Sequence, residues 1–217
     1  MNIGILGSGL MGAKLGTLFA RAGHNVVFSY ARTAAKLERV ALQANRQAKG
    51  RARAGSPADA VKDADAVLLA VHWSRLNDVL QQAGTLAGKV VLTCSIPMNA
   101  DDTKLVFHTA TSGAEQLAKR IPRAHVVAAF QTVPSEAFFG VFAARRRRKR
   151  PSLVFCGDHA ASKKVAAKLI RAVGFDPVDA GPLRIARYTE PFALLVAQLA
   201  YEGKGGPQLA YRFERFK

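Results

Sequence analysis

Apolar residues follow two rhythms along this chain, and the rhythms alternate. Short unbroken apolar runs, of the kind buried on both faces of a parallel sheet, are separated by longer stretches with apolar positions every three or four residues. The runs predict strands at Asn2–Leu6, Asn25–Tyr30, Arg51–Arg53, Asp65–Val71, Gly88–Cys94, Ala124–Phe130, Ser152–Cys156 and Gly174–Asp179. The stretches between them predict helices at Ala13–Ala22, Thr33–Gln47, Ala58–Lys62, Ser74–Gln82, Gly113–Arg120, from Ser135 onward, Ser162–Val173 and Leu183–Glu202. Punctuation agrees: Gly23-His24 stops the first helix, Ser56-Pro57 opens the third, and Ser112 with Glu115 reads as a capping box. Strand and helix in turn mean α/β: a Rossmann-type, doubly wound, mostly parallel sheet, with a small C-terminal α/β extension ending in an apolar helix. The division expected is 1–142 as the Rossmann domain and 143–217 as a smaller portion packing on it or continuous with it.

The junction of the first strand and first helix carries the first chemistry. Gly7-Ser8-Gly9-Leu10-Met11-Gly12 places glycines at the first, third and sixth positions of a turn. Gly7 suits the tight turn, Gly9 the approach of phosphates, and Gly12 the close packing of helix on strand. The free N–H groups and positive end of the helix then face a pyrophosphate. The second strand ends in Ser29-Tyr30-Ala31-Arg32-Thr33, with Lys36 one turn on and no acid at the tip. A carboxylate there would hold the ribose of NAD. Ser29 and Thr33 as donors, Arg32 as a fork and Lys36 as added charge suit the 2′-phosphate of NADP(H) instead.

Three further loops fall at the same sheet edge: Val71-His72-Trp73, Ser95-Ile96-Pro97-Met98-Asn99 and Gln131-Thr132-Val133-Pro134. Val71, His72, Trp73 and Pro97 are expected to line the dinucleotide cleft. If the strands are parallel and adjacent, the nicotinamide and a substrate lie among Ser95, Met98, Asn99, Gln131 and Thr132. His72 has no evident partner in the sequence. Trp73 either lines the cleft or packs at the start of the next helix.

Composition adds boundaries. The chain has 217 residues, 49% hydrophobic, enough for a real core. No apolar run reaches the length of a membrane span, and the start Met-Asn-Ile-Gly-Ile is a strand without the basic flank of a signal peptide. Cys94 and Cys156 are far apart without metal-ligand spacing and read as buried thiols, so a cytoplasmic location is expected. No metal site is expected. The net charge of +17 includes Arg145–Arg150, read as a solvated loop rather than a nucleic-acid patch because no aromatics interleave with it. The last helix, with few charges over Phe192–Tyr201, is either core or half of a homodimer interface.

Gly7–Gly12, Phe28-Ser-Tyr-Ala-Arg32, Val71-His-Trp73, Phe130-Gln-Thr-Val-Pro134, Cys156-Gly-Asp158 and Asp179-Ala-Gly-Pro-Leu183 occur in one order over nearly the whole chain. In this the chain resembles the NADPH-dependent coenzyme F-420 reductases. More distant relatives implied are the first domain of pyrroline-5-carboxylate reductases and the cytoplasmic domain of membrane metalloreductases. The resemblance implies direct hydride transfer between nicotinamide C4 and C5 of a deazaflavin, which needs proximity and dryness more than an acid or base. It also implies Ser8 near the nicotinamide phosphate, Ser29 and Arg32 at the 2′-phosphate, and Thr132 at the ring-stacking site. The chain departs from the family at Gln131, where a His can stand, in a second-strand tip longer by one residue, and in the basic excursion before Pro151. Three functions follow as expectations: an NADP(H) oxidoreductase acting on coenzyme F-420 or a flavin-like acceptor; a reductase of another small molecule such as an imine, quinone, flavin or metal chelate; and a non-catalytic NADP(H) redox sensor.

Overall fold

The structure, a computed structural model, describes residues 1–107 and 109–216. Eight strands form one sheet: β1 Asn2–Leu6, β2 Asn25–Ser29, β3 Ala52–Ala54, β4 Ala66–Leu69, β5 Val90–Thr93, β6 His125–Ala129, β7 Ser152–Gly157 and β8 Asp176–Asp179. Their order across the sheet is β3-β2-β1-β4-β5-β6-β7-β8. Every pairing is parallel except β6 with β7. The fold is therefore a Rossmann-like α/β sheet. The sheet runs without a break through β7 and β8.

Among the described residues eight α-helices cover it: α1 Leu10–Arg21, α2 Ala34–Asn45, α3 Pro57–Lys62, α4 Leu76–Ala83, α5 Gly113–Arg120, α6 Phe138–Ala143, α7 Ala160–Ala172 and α8 Ala186–Ala197. Alternation within the strands sorts them to two faces. Ile3, Ile5, Leu68, Leu92 and Val127 pack with Leu15 and Phe19 of α1, Ala41 of α2, Phe138 of α6 and Leu169 of α7. Leu6, Val67, Leu69, Val91 and Val126 pack with Val61 of α3, Val79 of α4, Leu117 of α5 and Ala186 of α8. Both sets are buried, which is why β4 and β5 read as unbroken apolar runs.

Several boundaries differ from the expected ones. The first helix starts at Leu10 rather than Ala13, because Gly9 already serves as its N-cap. The last helix starts at Ala186 rather than Leu183, because Leu183–Ile185 forms a 3-10 turn; Pro191 lies inside α8, and a π-helical turn, Gln198–Glu202, follows. The capping box at Ser112 is half formed. Ser112 Oγ accepts the Glu115 N–H, but the Glu115 carboxylate is drawn to Arg187 in a bidentate pair at 2.7 and 2.8 Å. The Ser56–Asp59 box is complete. Among the described residues no helix is long and apolar enough to cross a membrane.

Candidate active site

The strand order reverses beside β1, with β2 on one side and β4 on the other. That is the switch point at which ligands of such sheets bind, outside the carboxyl ends of the strands. Gly7 stands there with φ +108, and a Cβ on it would come within 2.4 Å of the Ala70 carbonyl oxygen. Gly12 faces back onto the same turn, where a Cβ would lie 1.8 Å from the Gly7 oxygen. The first helical N–H to find a helical partner is that of Ala13, on the Gly9 oxygen at 3.0 Å. Those of Leu10 and Met11 are left at the positive end of α1.

In front of this turn opens a cleft of about 1150 Å³, lined by Gly7–Leu10, by Tyr30–Arg32, Lys36 and Ser56, and opposite by Val71, His72, Arg75, Asp78 and Asp102. Arg32 is exposed and Lys36 half-buried, both at the start of α2. Thr33 caps that helix by accepting the Lys36 N–H. The first turn of α2 has no acidic residue. Cations and a helix N-terminus thus meet at the tip of β2, a setting for a phosphate.

Ser29 does not share in it. Its side chain is fully buried and its hydroxyl donates to the Ile5 carbonyl at 2.7 Å. Ser8 likewise turns inward, its hydroxyl donating to the Ser29 carbonyl at 2.9 Å and its N–H to the Tyr30 carbonyl at 3.1 Å. Tyr30 takes φ 56, which aims its ring across the cleft, and its hydroxyl donates to Asp78. Burial, with Asp78 beside it, pushes the Tyr30 phenol up to about 12. Gln82 donates to the other Asp78 oxygen at 3.0 Å.

His72 has partners after all. Nδ1 accepts the Ser74 N–H at 3.2 Å, so Nε2 carries the proton, and it faces Asp102 at 3.0 Å. Asp102 belongs to a loop pinned by the Met98–Leu105 bridge. Trp73 lies outside the cleft lining. It packs edge-on to Phe107, under the Arg120 guanidinium, at the start of a short helical turn.

The other edge loops come together as expected from parallel, adjacent β4, β5 and β6, but not all their side chains face one space. Ser95 donates to the Val71 carbonyl at 2.7 Å. Asn99 accepts N–H groups of Thr103 and Lys104 inside its own loop. Thr132 is fully buried against the Tyr211 hydroxyl at 2.7 Å. Pro97 packs on Gly113. A second, smaller cavity of about 220 Å³ does receive Gln131, together with Met11, Ile96, Val133 and Ser135. Leu10 lines both spaces. Gln131 donates through Nε2 to Thr189 of α8 at 3.2 Å, and its Oε1 is buried without a partner among the described residues.

Residues 2–97, from β1 through the Ile96-Pro97 turn, match the family model described as NADP oxidoreductase, coenzyme F420-dependent. This stretch of the chain is similar to that oxidoreductase family. The family domain holds the glycine turn, the β2 tip, Val71-His72-Trp73 and Ser95; Gln131 and Thr132 lie beyond it. The rat metalloreductase STEAP3 is 28% identical over 196 residues, 89% of this chain and 36% of that protein. The chain thus spans about a third of the curated relative. Among solved structures, a chain from Arthrobacter sp. FB24 provisionally described as an F420-dependent NADP-reductase superposes with TM-score 0.85 at 23% identity. That match covers 99% of this chain and all of the other. A reductive aminase from Aspergillus terreus, in complex with NADPH and ethyl-5-oxohexanoate, matches with TM-score 0.65 at 17% identity, over 91% of this chain and 60% of that one. These two share the fold.

Proposed function

We propose that this chain binds NADP(H) in the larger cleft and exchanges a hydride with a small organic acceptor at its inner end. The observation that carries the reading is the β2 tip. Arg32, Lys36 and the N-terminus of α2 stand there without a carboxylate, on the wall continuous with the Gly7–Gly12 turn. A 2′-phosphate would be held by Arg32 and Lys36, and the pyrophosphate by the N–H groups of Leu10 and Met11. Ser8 shapes the turn instead, its N–H held by the Tyr30 carbonyl at 3.1 Å and its hydroxyl by that of Ser29. The nicotinamide supplies a hydride when bound. The chain's own task is to orient that end and keep it dry, and the buried edge loops at Ser95–Pro97 and Gln131–Pro134 suit it.

Coenzyme F-420 or another deazaflavin is the acceptor suggested by the family description, with a flavin as a close substitute. A second reading, reduction of another small molecule, is favoured by the small cavity at Gln131. The single sheet argues that 1–142 and 143–217 work as one continuous domain. A second copy would cover Tyr188, Leu195, Leu199 and Tyr201, which are exposed along and just beyond α8. Two buried free thiols, Cys94 and Cys156, fit a reducing compartment such as the cytoplasm.

Fluorescence titration with NADPH and NADH tests the reading. NADPH is expected to bind at least about tenfold tighter, since a charge-assisted contact is worth about 1.5–3 kcal/mol. Equal or tighter binding of NADH rejects it. Absorbance changes with oxidised deazaflavin, then flavin, identify the acceptor.

A further inference from the structure

The polar groups around the smaller cavity do more than the hydride reading asks of them. Its walls are largely aliphatic, from Met11, Ile96, Val133 and Val196. Two of its polar residues are almost fully buried: Gln131 is 8% and Ser135 4% exposed. Gln131 Oε1 is an acceptor with no donor, a costly state for a buried carbonyl unless a ligand completes it. Ser135 Oγ accepts from Lys14 Nζ at 2.9 Å. Lys14 also lies 3.7 Å from Glu136, which takes the Tyr201 hydroxyl at 2.9 Å. Lys14 and Glu136 are only partly buried, so they connect the cavity with solvent. With the ammonium donating to its oxygen, Ser135 keeps one proton to give, and it can turn that proton from Glu136 to a ligand.

We propose, on the NADP(H) reading above, that this cavity is the acceptor site. It takes a small neutral carbonyl compound carrying a hydroxyl or N–H beside the carbonyl. The donor substituent satisfies Gln131 Oε1, and the carbonyl oxygen accepts from Ser135. The reaction balances as ketone plus NADPH plus a proton giving alcohol plus NADP+. The hydride adds to the carbonyl carbon, the π pair moves to oxygen, and oxygen takes the Ser135 proton. Ser135 recovers it from the Lys14 ammonium, which is refilled from solvent. A cavity of about 220 Å³ falls below the roughly 300 Å³ at which pockets for drug-sized ligands begin, a size that suits a small carbonyl compound.

Hydroxyacetone and butanone make the test, because they differ by a hydroxyl in place of a methyl. NADPH binding is measured first by fluorescence; its absence in the wild type would reject the cofactor reading itself. With NADPH bound, the wild type is expected to reduce hydroxyacetone with kcat/KM at least about tenfold above butanone. Saturation-transfer NMR should show hydroxyacetone, but not butanone, on the complex with NADP+. Gln131→Leu should erase both preferences. Ser135→Ala should lower kcat about 100-fold with NADPH affinity unchanged, Ser135→Thr should recover most of it, and Lys14→Met should lower kcat without raising KM. Equal use of the two ketones, or no reduction and no transfer signal with NADPH bound, overturns the proposal. So does deazaflavin reduction indifferent to Gln131→Leu and Ser135→Ala.

Discussion

Glu190, in the middle of α8, accepts the backbone N–H of Gly113 at 2.9 Å, from a residue 77 positions earlier. Its second oxygen takes the Ala114 N–H at 3.0 Å. One carboxylate therefore caps α5 and fixes α8 against it. Thr189, the neighbouring residue, holds Gln131.

The Glu190 contact makes stability depend on pH. Burial pushes the carboxyl up from 4.5 to about 7, against the pull of the two N–H groups, and Glu115 adds to the rise. The folded state therefore binds the proton more tightly than the unfolded one. Stability should be highest below the unfolded value and fall as pH rises toward 7, by about 3 kcal/mol at most. Thermal melts from about pH 5 to about pH 8 should show a declining Tm, and Glu190→Gln should flatten the decline. A wild-type Tm that holds level across that range, or a slope that the variant keeps, would refute the assignment.

Gly9 and Gly12 should separate binding from folding. A Cβ at Gly12 meets backbone that cannot yield, so Gly12→Ala is expected to cost about 3 kcal/mol or more in chemical denaturation. A Cβ at Gly9 meets nothing within 4 Å, and its φ of −77 suits alanine. Gly9→Ala should keep its stability within about 0.5 kcal/mol, yet lose NADPH affinity by at least about tenfold, because the methyl stands where the phosphates approach. The opposite pattern would move the phosphates elsewhere.

Arg32→Ala and Lys36→Ala should each weaken NADPH binding by about tenfold and leave NADH binding unchanged. Ser29→Ala should instead destabilise the fold by about 1 kcal/mol, since its hydroxyl bonds Ile5 inside the sheet. Paired titrations and melts distinguish these. A Ser29→Ala variant that loses NADPH selectively would return the residue to the cleft.

Burial pushes the thiols of Cys94 and Cys156 up to about 12. Neither should react with an aromatic disulfide reagent at neutral pH while the chain is folded, and both should react in denaturant. A thiol that titrates in the native state would mark a local opening of β5 or β7.

Much of the site could be read before folding was considered. The spacing of Gly7, Gly9 and Gly12 between an apolar run and an amphipathic helix specifies strand, turn and helix through backbone sterics alone. Arg32 and Lys36 follow because the β2 tip lies at a set distance from that turn. What misled was side-chain direction. Ser29 follows a buried Phe28 and would alternate toward the cleft, but Tyr30 at φ 56 makes the turn and leaves Ser29 bonded to Ile5. Thr132 points into the core because the tail brings Tyr211 over it.

The sequence by itself determined the elements, their alternation, the phosphate turn and the charge at the β2 tip, since each depends on residues close together in the chain. Only the tertiary structure decided that Asp78 meets Tyr30, that Asp102 meets His72, and that Lys14 stands behind Ser135. Those pairs are 48, 30 and 121 residues apart. No local rhythm encodes them: they exist because the crossover from β3 to β4 and the parallel order of β4, β5 and β6 bring separate loops to one edge of the sheet.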